Sequence, residues 1–300
     1  MFQKTINEEV SFIGVGLHSG KKINVKLKPA LPNTGIIFIV NGEIIESHCS
    51  IVKETQLCTG FNNGKTTLNT VEHFLFSLFY FSIDNIIVEL NANEMPIMDG
   101  SAMPFIYLIK SAGIKEQNSL KKFIKLKKEV SVKIDDKYII AKPSNSPSIK
   151  FTIDFDHPAI NNQHVFINVD NISILNDISR ARTFGFLKDI EYLRRNNLAL
   201  GGSLSNAILL DETSILNPEG LRMAEEFIYH KVLDFIGDTY INGLTIISDI
   251  EAYKSGHHIN NLFMREVFSN EENYEIVSFP EEELPKNRSI ITIFNPVINN

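Results

Sequence analysis

The chain predicts an α+β protein of two units, and three observations carry that prediction. Its 300 residues, 43% hydrophobic and 22% charged, supply more core than one compact unit usually needs. Period-two alternation dominates the start of each half, and helical spacing follows it in both. Strands and then helices, twice over, is an α+β order, not the regular alternation that builds a parallel sheet. A polar, lysine-rich stretch from Lys115 to Lys128 separates the two runs, so the boundary is expected there, giving units 1–118 and 119–300.

Charge narrows the partners. A net charge of -7 with a pI near 5.7 argues against a polyanion, so no nucleic acid is expected. Met1-Phe-Gln-Lys-Thr lacks the apolar core of a signal peptide, and no run approaches the ~20 apolar residues of a membrane span. A cytoplasmic protein with no stable membrane anchor is the expectation. Cys49 and Cys58 are too few for a disulfide framework or a cysteine-rich zinc module, and both should be reduced.

In the first half, Val10 to Phe12 reads as a short strand. Gly14-Val-Gly-Leu-His18-Ser-Gly20 follows, with glycines that permit backbone a side chain forbids, but it is no dinucleotide fingerprint because a strand comes next. Ile23 to Lys28 alternates and stops at Pro29; Ile36 to Val40, Glu43 to Ile45 and Ser50 to Cys58 continue the pattern. The first strong helix begins near Asn69-Thr-Val-Glu72-His73 and places Val71, Phe74, Leu75, Leu78 and Phe79 on one stripe, with Glu72 and His73 off it. Asn69 and Glu72 have the spacing of a capping box, the ordinary use of such a pair. An adjacent Glu and His also suits a metal hydrolase, in which one residue holds the ion and its neighbour the proton. Ile86 to Leu90 is a buried strand, and Asp99 shapes the turn before a helix from Ala102 to Ala112 that Ser101 can cap.

In the second half, Val130 to Ile134 and Tyr138 to Ala141 form a hairpin turning at Asp135-Asp136, and Lys150 to Phe155 alternates again. After Phe166 to Val169 come Arg182-Thr183-Phe184-Gly185-Phe186 and an amphipathic helix near Leu187 to Arg195. Leu198 to Leu200 and Gly201-Gly202 lead into Ala207 to Leu210. The segment from Arg222 to Asn261 then holds His230-Lys-Val-Leu-Asp234-Phe-Ile-Gly-Asp238 and, after a short apolar strand, Lys254-Ser-Gly-His257-His258. On a helix His230 and Asp234 share a face, with Asp238 one turn on, so an imidazole and a carboxylate can reach one cation. The same spacing serves a solvated helix face, and a third ligand decides between the two.

Six motifs weigh together: Gly14-Val-Gly-Leu-His-Ser-Gly20, Thr70-Val-Glu-His73, Pro96-Ile-Met-Asp-Gly-Ser101, Arg182-Thr-Phe-Gly185, His230-Lys-x-x-Asp-x-x-Gly-Asp238 and Tyr253-Lys-Ser-Gly-His257. In this order the chain resembles the LpxC family, zinc-dependent UDP-3-O-acyl-N-acetylglucosamine deacetylases of lipid A biosynthesis, over about residues 2 to 270. The resemblance implies two α+β domains, each with helices sandwiched between two mainly antiparallel sheets, and an active site at their interface. It implies His73, His230 and Asp234 as ligands of one Zn2+ per chain, with iron(II) the other metal it allows. It implies Glu72 as general base, His257 as the group that protonates the leaving amine or stabilises the oxyanion, Asp238 as its orienting partner and Thr183 as a donor to the oxyanion.

A βαβ insert of about 184–211 is implied to form an apolar passage for the 3-O-acyl chain, using Phe184, Phe186, Leu187, Ile190, Leu198, Ala199 and Leu200, although such residues also serve as plain core. Lys231 is the implied contact for the phosphate-bearing part, and His18 for sugar or nucleotide. UDP-3-O-acyl-N-acetylglucosamine is then the expected substrate and a monomer the expected state. The alternative is a zinc amidohydrolase of the same fold acting on another N-acyl sugar. From about 271 onward no functional motif is visible.

Overall fold

The computed structural model describes residues 1–145, 147–168 and 172–279. Most of the final stretch without a motif lies outside them. The architecture is α+β, and the sheets are mainly antiparallel.

A five-stranded sheet runs in the order Val10–Val15, Lys22–Pro29, Ile86–Leu90, Ile36–Val40 and Glu43–Glu46. Only its Ile36–Val40 and Ile86–Leu90 pair is parallel. Lys22–Pro29 buries Ile23, Val25 and Leu27 and exposes Asn24 and Lys26 between them, as alternation demands when one face is covered. Short strands Val52–Glu54, Gly60–Asn62 and Thr67–Leu68 form a second sheet. Ser50 to Cys58 is therefore not one strand: a 3-10 turn at Cys49–Ile51 opens it and only three residues pair.

The lysine-rich stretch is corrected too. Ile114–Leu120 pairs with Phe2–Ile6, and Phe123–Leu126 enters a different sheet. Each strand carries a single lysine, exposed Lys115 and half-buried Lys125, while Phe123, Ile124 and Leu126 are buried, so a polar composition hid two strands. Between them, buried Lys121 donates to Asp84 at 2.6 Å, and Asp84 also accepts from the Lys4 main chain at 2.8 Å. That charge pair pins the crossover to the turn after the first helix.

The largest sheet is ordered Val130–Ile134, Lys137–Pro143, Thr245–Tyr253, Phe123–Leu126 and Tyr274–Val277. Ser148–Asp154 joins it in parallel on Thr245–Tyr253 and carries Asn162–Asn168. The strand before Lys254 is thus nine residues long and central, where a short one was expected. Phe184–Phe186 and Ile208–Leu210 pair in parallel across a helix, a βαβ unit.

Among the described residues the helices are α1 Glu72–Phe81, α2 Met103–Ala112, α3 Ile172–Ser179, α4 Leu187–Arg195, α5 Glu226–Thr239 and α6 His257–Phe268. The sequence pattern did not signal α3 or α6. None is long and apolar enough to cross a membrane. The single-stripe expectation for α1 is corrected: Phe76 and Phe81 are buried along with Phe74, Leu75, Leu78 and Phe79, so the helix is enclosed nearly all round. Each such side chain stabilises the fold by about 1.5–3 kcal/mol. The apolar interior runs continuously from the first sheets into the last, with α1 and α5 at its centre.

Candidate metal centre and active-site cavity

The site begins where α1 meets α5. A Cβ on Gly237 would stand 2.1 Å from the main-chain oxygen of Glu72, so only glycine lets α5 lie this close to the first turn of α1. The glycine of the His230-to-Asp238 motif is the contact that brings the motif's own side chains to His73.

The capping box does not form. The residue before α1 is Val71, with helical backbone and no side-chain cap. Instead the Glu72 carboxylate accepts the main-chain N–H of Thr59 at 3.0 Å, and it lies buried beneath α5. His73 is buried beside it.

His73 Nε2 lies 3.6 Å and His230 Nε2 3.4 Å from Asp234 Oδ1, and the three donor atoms lie within 4.8 Å of one another. The two rings stand 5.0 Å apart and perpendicular. His230 Nδ1 sits 3.1 Å from the carbonyl of Ala181, so this nitrogen carries the proton and Nε2 presents its lone pair to the carboxylate. Lone pair against lone pair in a buried place is repulsive unless a cation stands between them. Asp234 Oδ1 and His73 Nδ1 are moreover buried with no hydrogen-bond partner. Tetrahedral bonds of about 2.0–2.1 Å put ligand atoms roughly 3.3 Å apart, close to the spacing found. These residues fit one metal ion, and two imidazoles with a carboxylate suit zinc or iron(II).

Electrostatics agree with ligation. Burial pushes the His230 pKa down to about 3, which leaves the ring neutral. Burial works against ionisation of Asp234, yet the positive charge of Lys231 beside it prevails and holds the carboxyl well below the usual range. Lys231 donates to Asp234 Oδ2 at 2.7 Å and also lines the adjoining cavity. Burial lowers the Lys231 pKa, but Asp234 outweighs that and the net direction is up.

Asp238 belongs to a second cluster beside the first. Its Oδ2 accepts from His257 Nδ1 at 2.9 Å and from Asn260 at 2.8 Å, and its Oδ1 from the Thr59 hydroxyl at 2.5 Å. Burial disfavours the His257 cation, but Asp238 more than compensates and the pKa is pushed up to about 9. Burial raises the Glu72 pKa, with His257 and His73 drawing it partly back. A carboxyl of raised pKa and an imidazole of raised pKa thus face one space, a combination suited to moving two protons near neutral pH.

That space is a cavity of about 770 Å³. Glu72, His73, His230, Lys231, Asp234, His257 and Thr183 line its inner end. Phe184, Phe186, Leu187, Ile190 and Ala199 line its outer part. Leu198 and Leu200 do not; Leu200 is half exposed, with its Cβ turned toward Gly20. His18 also lines the cavity, and both its ring nitrogens are buried without a partner. Asp99 accepts from Ser101 and pairs with Arg222, and so shapes its turn.

Arg182 explains its motif structurally. Buried, it donates to Glu226 at 2.8 Å and to Glu219 at 2.8 Å, tying the segment of Ala181 to Thr183 to the start of α5. Among the lining residues, Phe155, Tyr192 and Leu204 carried no signal in the sequence. Neither did Thr59 and Asn260, whose roles exist only across distant segments.

The fold and this cluster define a class: an α+β protein with a buried two-histidine, one-aspartate metal centre opening onto an apolar cavity. The family model for UDP-3-O-acyl N-acetylglycosamine deacetylases, LpxC, matches residues 3–269. Proteins named UDP-3-O-acyl-N-acetylglucosamine deacetylase are similar throughout. That of Pseudoalteromonas atlantica is 46% identical over 99% of both chains, and that of Shewanella violacea 45% over 97% of both. That of Haemophilus influenzae strain 86-028NP is 49% identical over 94% of both. The chain belongs to the LpxC family.

Proposed function

We propose that this protein hydrolyses the acetamide of UDP-3-O-acyl-N-acetylglucosamine to the 2-amine and acetate, a step of lipid A biosynthesis. The observation that carries the proposal is the convergence of His73, His230 and Asp234 beside Glu72 and His257 at the inner end of an apolar cavity. The names of its relatives supply the substrate.

His73, His230 and Asp234 would hold the zinc ion. Zinc bound there lowers the pKa of water and polarises a carbonyl oxygen, the two needs of amide hydrolysis. Glu72, held by the Thr59 N–H, takes the proton of the attacking water. His257, charged and oriented by Asp238, stabilises the oxyanion and protonates the leaving amine. Thr183 donates a hydrogen bond toward the oxyanion, and Lys231 supports Asp234 and adds positive potential. Phe184, Phe186, Leu187, Ile190 and Ala199 receive the acyl chain, and His18 contacts the sugar or nucleotide.

The division into two units near residue 118 is part of the same proposal; strand pairing changes partners between Leu120 and Phe123, just beyond that point. Cytoplasmic location and a monomeric state belong to the same reading. Acetate release from the UDP-acyl sugar by purified protein, measured before chelation, after chelation and after zinc is restored, tests it. Loss and recovery are expected; folded protein carrying one metal that releases no acetate overturns it.

A further inference from the structure

Glu72 and Asp238, the two carboxylates to which the reaction assigns opposite tasks, stand on different helices, and one residue on neither helix binds both. Thr59, 1% exposed, precedes the strand Gly60–Asn62. Its main-chain N–H donates to Glu72 Oε2 at 3.0 Å and its hydroxyl to Asp238 Oδ1 at 2.5 Å. Its carbonyl accepts from the N–H of Val71, the residue leading into α1, at 3.3 Å. All three polar groups of Thr59 are thus committed to the ends of α1 and α5 that carry the chemistry.

We propose that Thr59 is a positioning residue for the deacetylation, setting the base Glu72 and the Asp238–His257 pair in one frame. This rests on the deacetylase reading above. A carboxylate only accepts, so the Thr59 hydroxyl must donate, and that bond fixes which way Asp238 is turned. With Oδ1 so held, Oδ2 faces His257 and Asn260. Without the hydroxyl, Oδ1 keeps no donor among the described contacts, and the carboxylate that orients His257 is held through Oδ2 alone. The loop itself has little room to shift, since a Cβ on Gly60 would meet Asn69 Oδ1 at 2.3 Å.

Valine matches threonine in shape and keeps both main-chain bonds, so Thr59→Val removes the hydroxyl bond alone. Acetate release by wild type, Thr59→Val and Thr59→Ser is to be measured with kcat and KM resolved, together with metal per chain and Tm. For Thr59→Val, kcat is expected to fall about tenfold, the order of one lost hydrogen bond to a charged group, with KM and metal content within about twofold of wild type. Thr59→Ser restores most of kcat.

In a His257→Gln background Thr59→Val adds less than about twofold, because both act through one pair. Three results overturn the proposal: wild-type kcat in Thr59→Val, a kcat loss that tracks lost metal, or a full multiplicative loss on top of His257→Gln. Should Thr59→Val fail to fold, Thr59→Cys replaces it, and wild-type kcat there overturns the role equally. Wild-type protein that carries metal and releases no acetate sinks the deacetylase reading and this role with it; an active wild type with an unaffected Thr59→Val sinks the role alone.

Discussion

The crossing of α1 and α5 and the βαβ segment from Phe184 to Leu210 line the same cavity but are built in opposite ways. At the crossing, Glu72, His73, His230, Asp234 and Asp238 are each at most 3% exposed, and two backbones touch through Gly237. In the segment, α4 buries no residue, and Leu187 and Tyr192 are 47% and 62% exposed. Charged groups that must be held to fractions of an ångström sit where every neighbour is packed. Apolar contact with a flexible chain needs only area, and a helix laid over the opening supplies it at little cost to the fold.

The comparison predicts a steep gradient of effects. The largest is at the crossing: Glu72→Gln should lower kcat about 10²- to 10⁴-fold with metal retained, measured by acetate release and metal analysis. Full activity in that variant would remove Glu72 from the chemistry. Next, Gly237→Ala should force α1 and α5 apart, costing roughly 1–3 kcal/mol in denaturant unfolding and lowering metal occupancy. An unchanged metal content would show that the close approach is not what assembles the ligands.

A pH profile probes the second cluster. Activity should rise on an acid limb as Glu72, whose pKa is raised, ionises, and fall on a basic limb through about pH 9 as His257 loses its proton. The same shift bears on stability. The folded His257 pKa lies above the unfolded value of 6.5, so its contribution is complete below about pH 6.5 and is lost as pH rises through about 9. Asp238→Asn should draw the basic limb toward neutral pH, and an unmoved limb would assign it to another group. Smallest of all, Tyr192→Ala on α4 should leave the unfolding free energy within about 0.5 kcal/mol while changing KM for long-acyl substrate, because nothing in the core rests on α4.

How much was legible differs along the same line. Ile36–Val40, Ile86–Leu90 and Leu187–Arg195 have the bounds expected of them; the two strands bury every second residue, and α4 keeps its amphipathic spacing although it buries none. The strands within Lys115 to Lys128 went unseen because polar residues fill the exposed positions of Ile114–Leu120 and lysines flank the four-residue Phe123–Leu126. The helix α6 carried no cue, as its preceding residue is Gly256 with no side-chain cap. The stripe on α1 was read too narrowly because a helix enclosed on all sides has no face to reveal.

By itself the sequence determined the α+β order, the hairpin turning at Asp135-Asp136, and a set of chemically apt residues grouped in motifs. Each of these is local, written in spacings of two, three or four residues. Only the tertiary structure decided that Glu72 turns to Thr59 instead of capping its helix and that His73 meets His230 and Asp234. It also decided that Asp238 serves His257. The physical reason is the contact at Gly237: two helices some 160 residues apart in the chain approach because one position lacks a Cβ, and nothing in the spacing of either helix names the other.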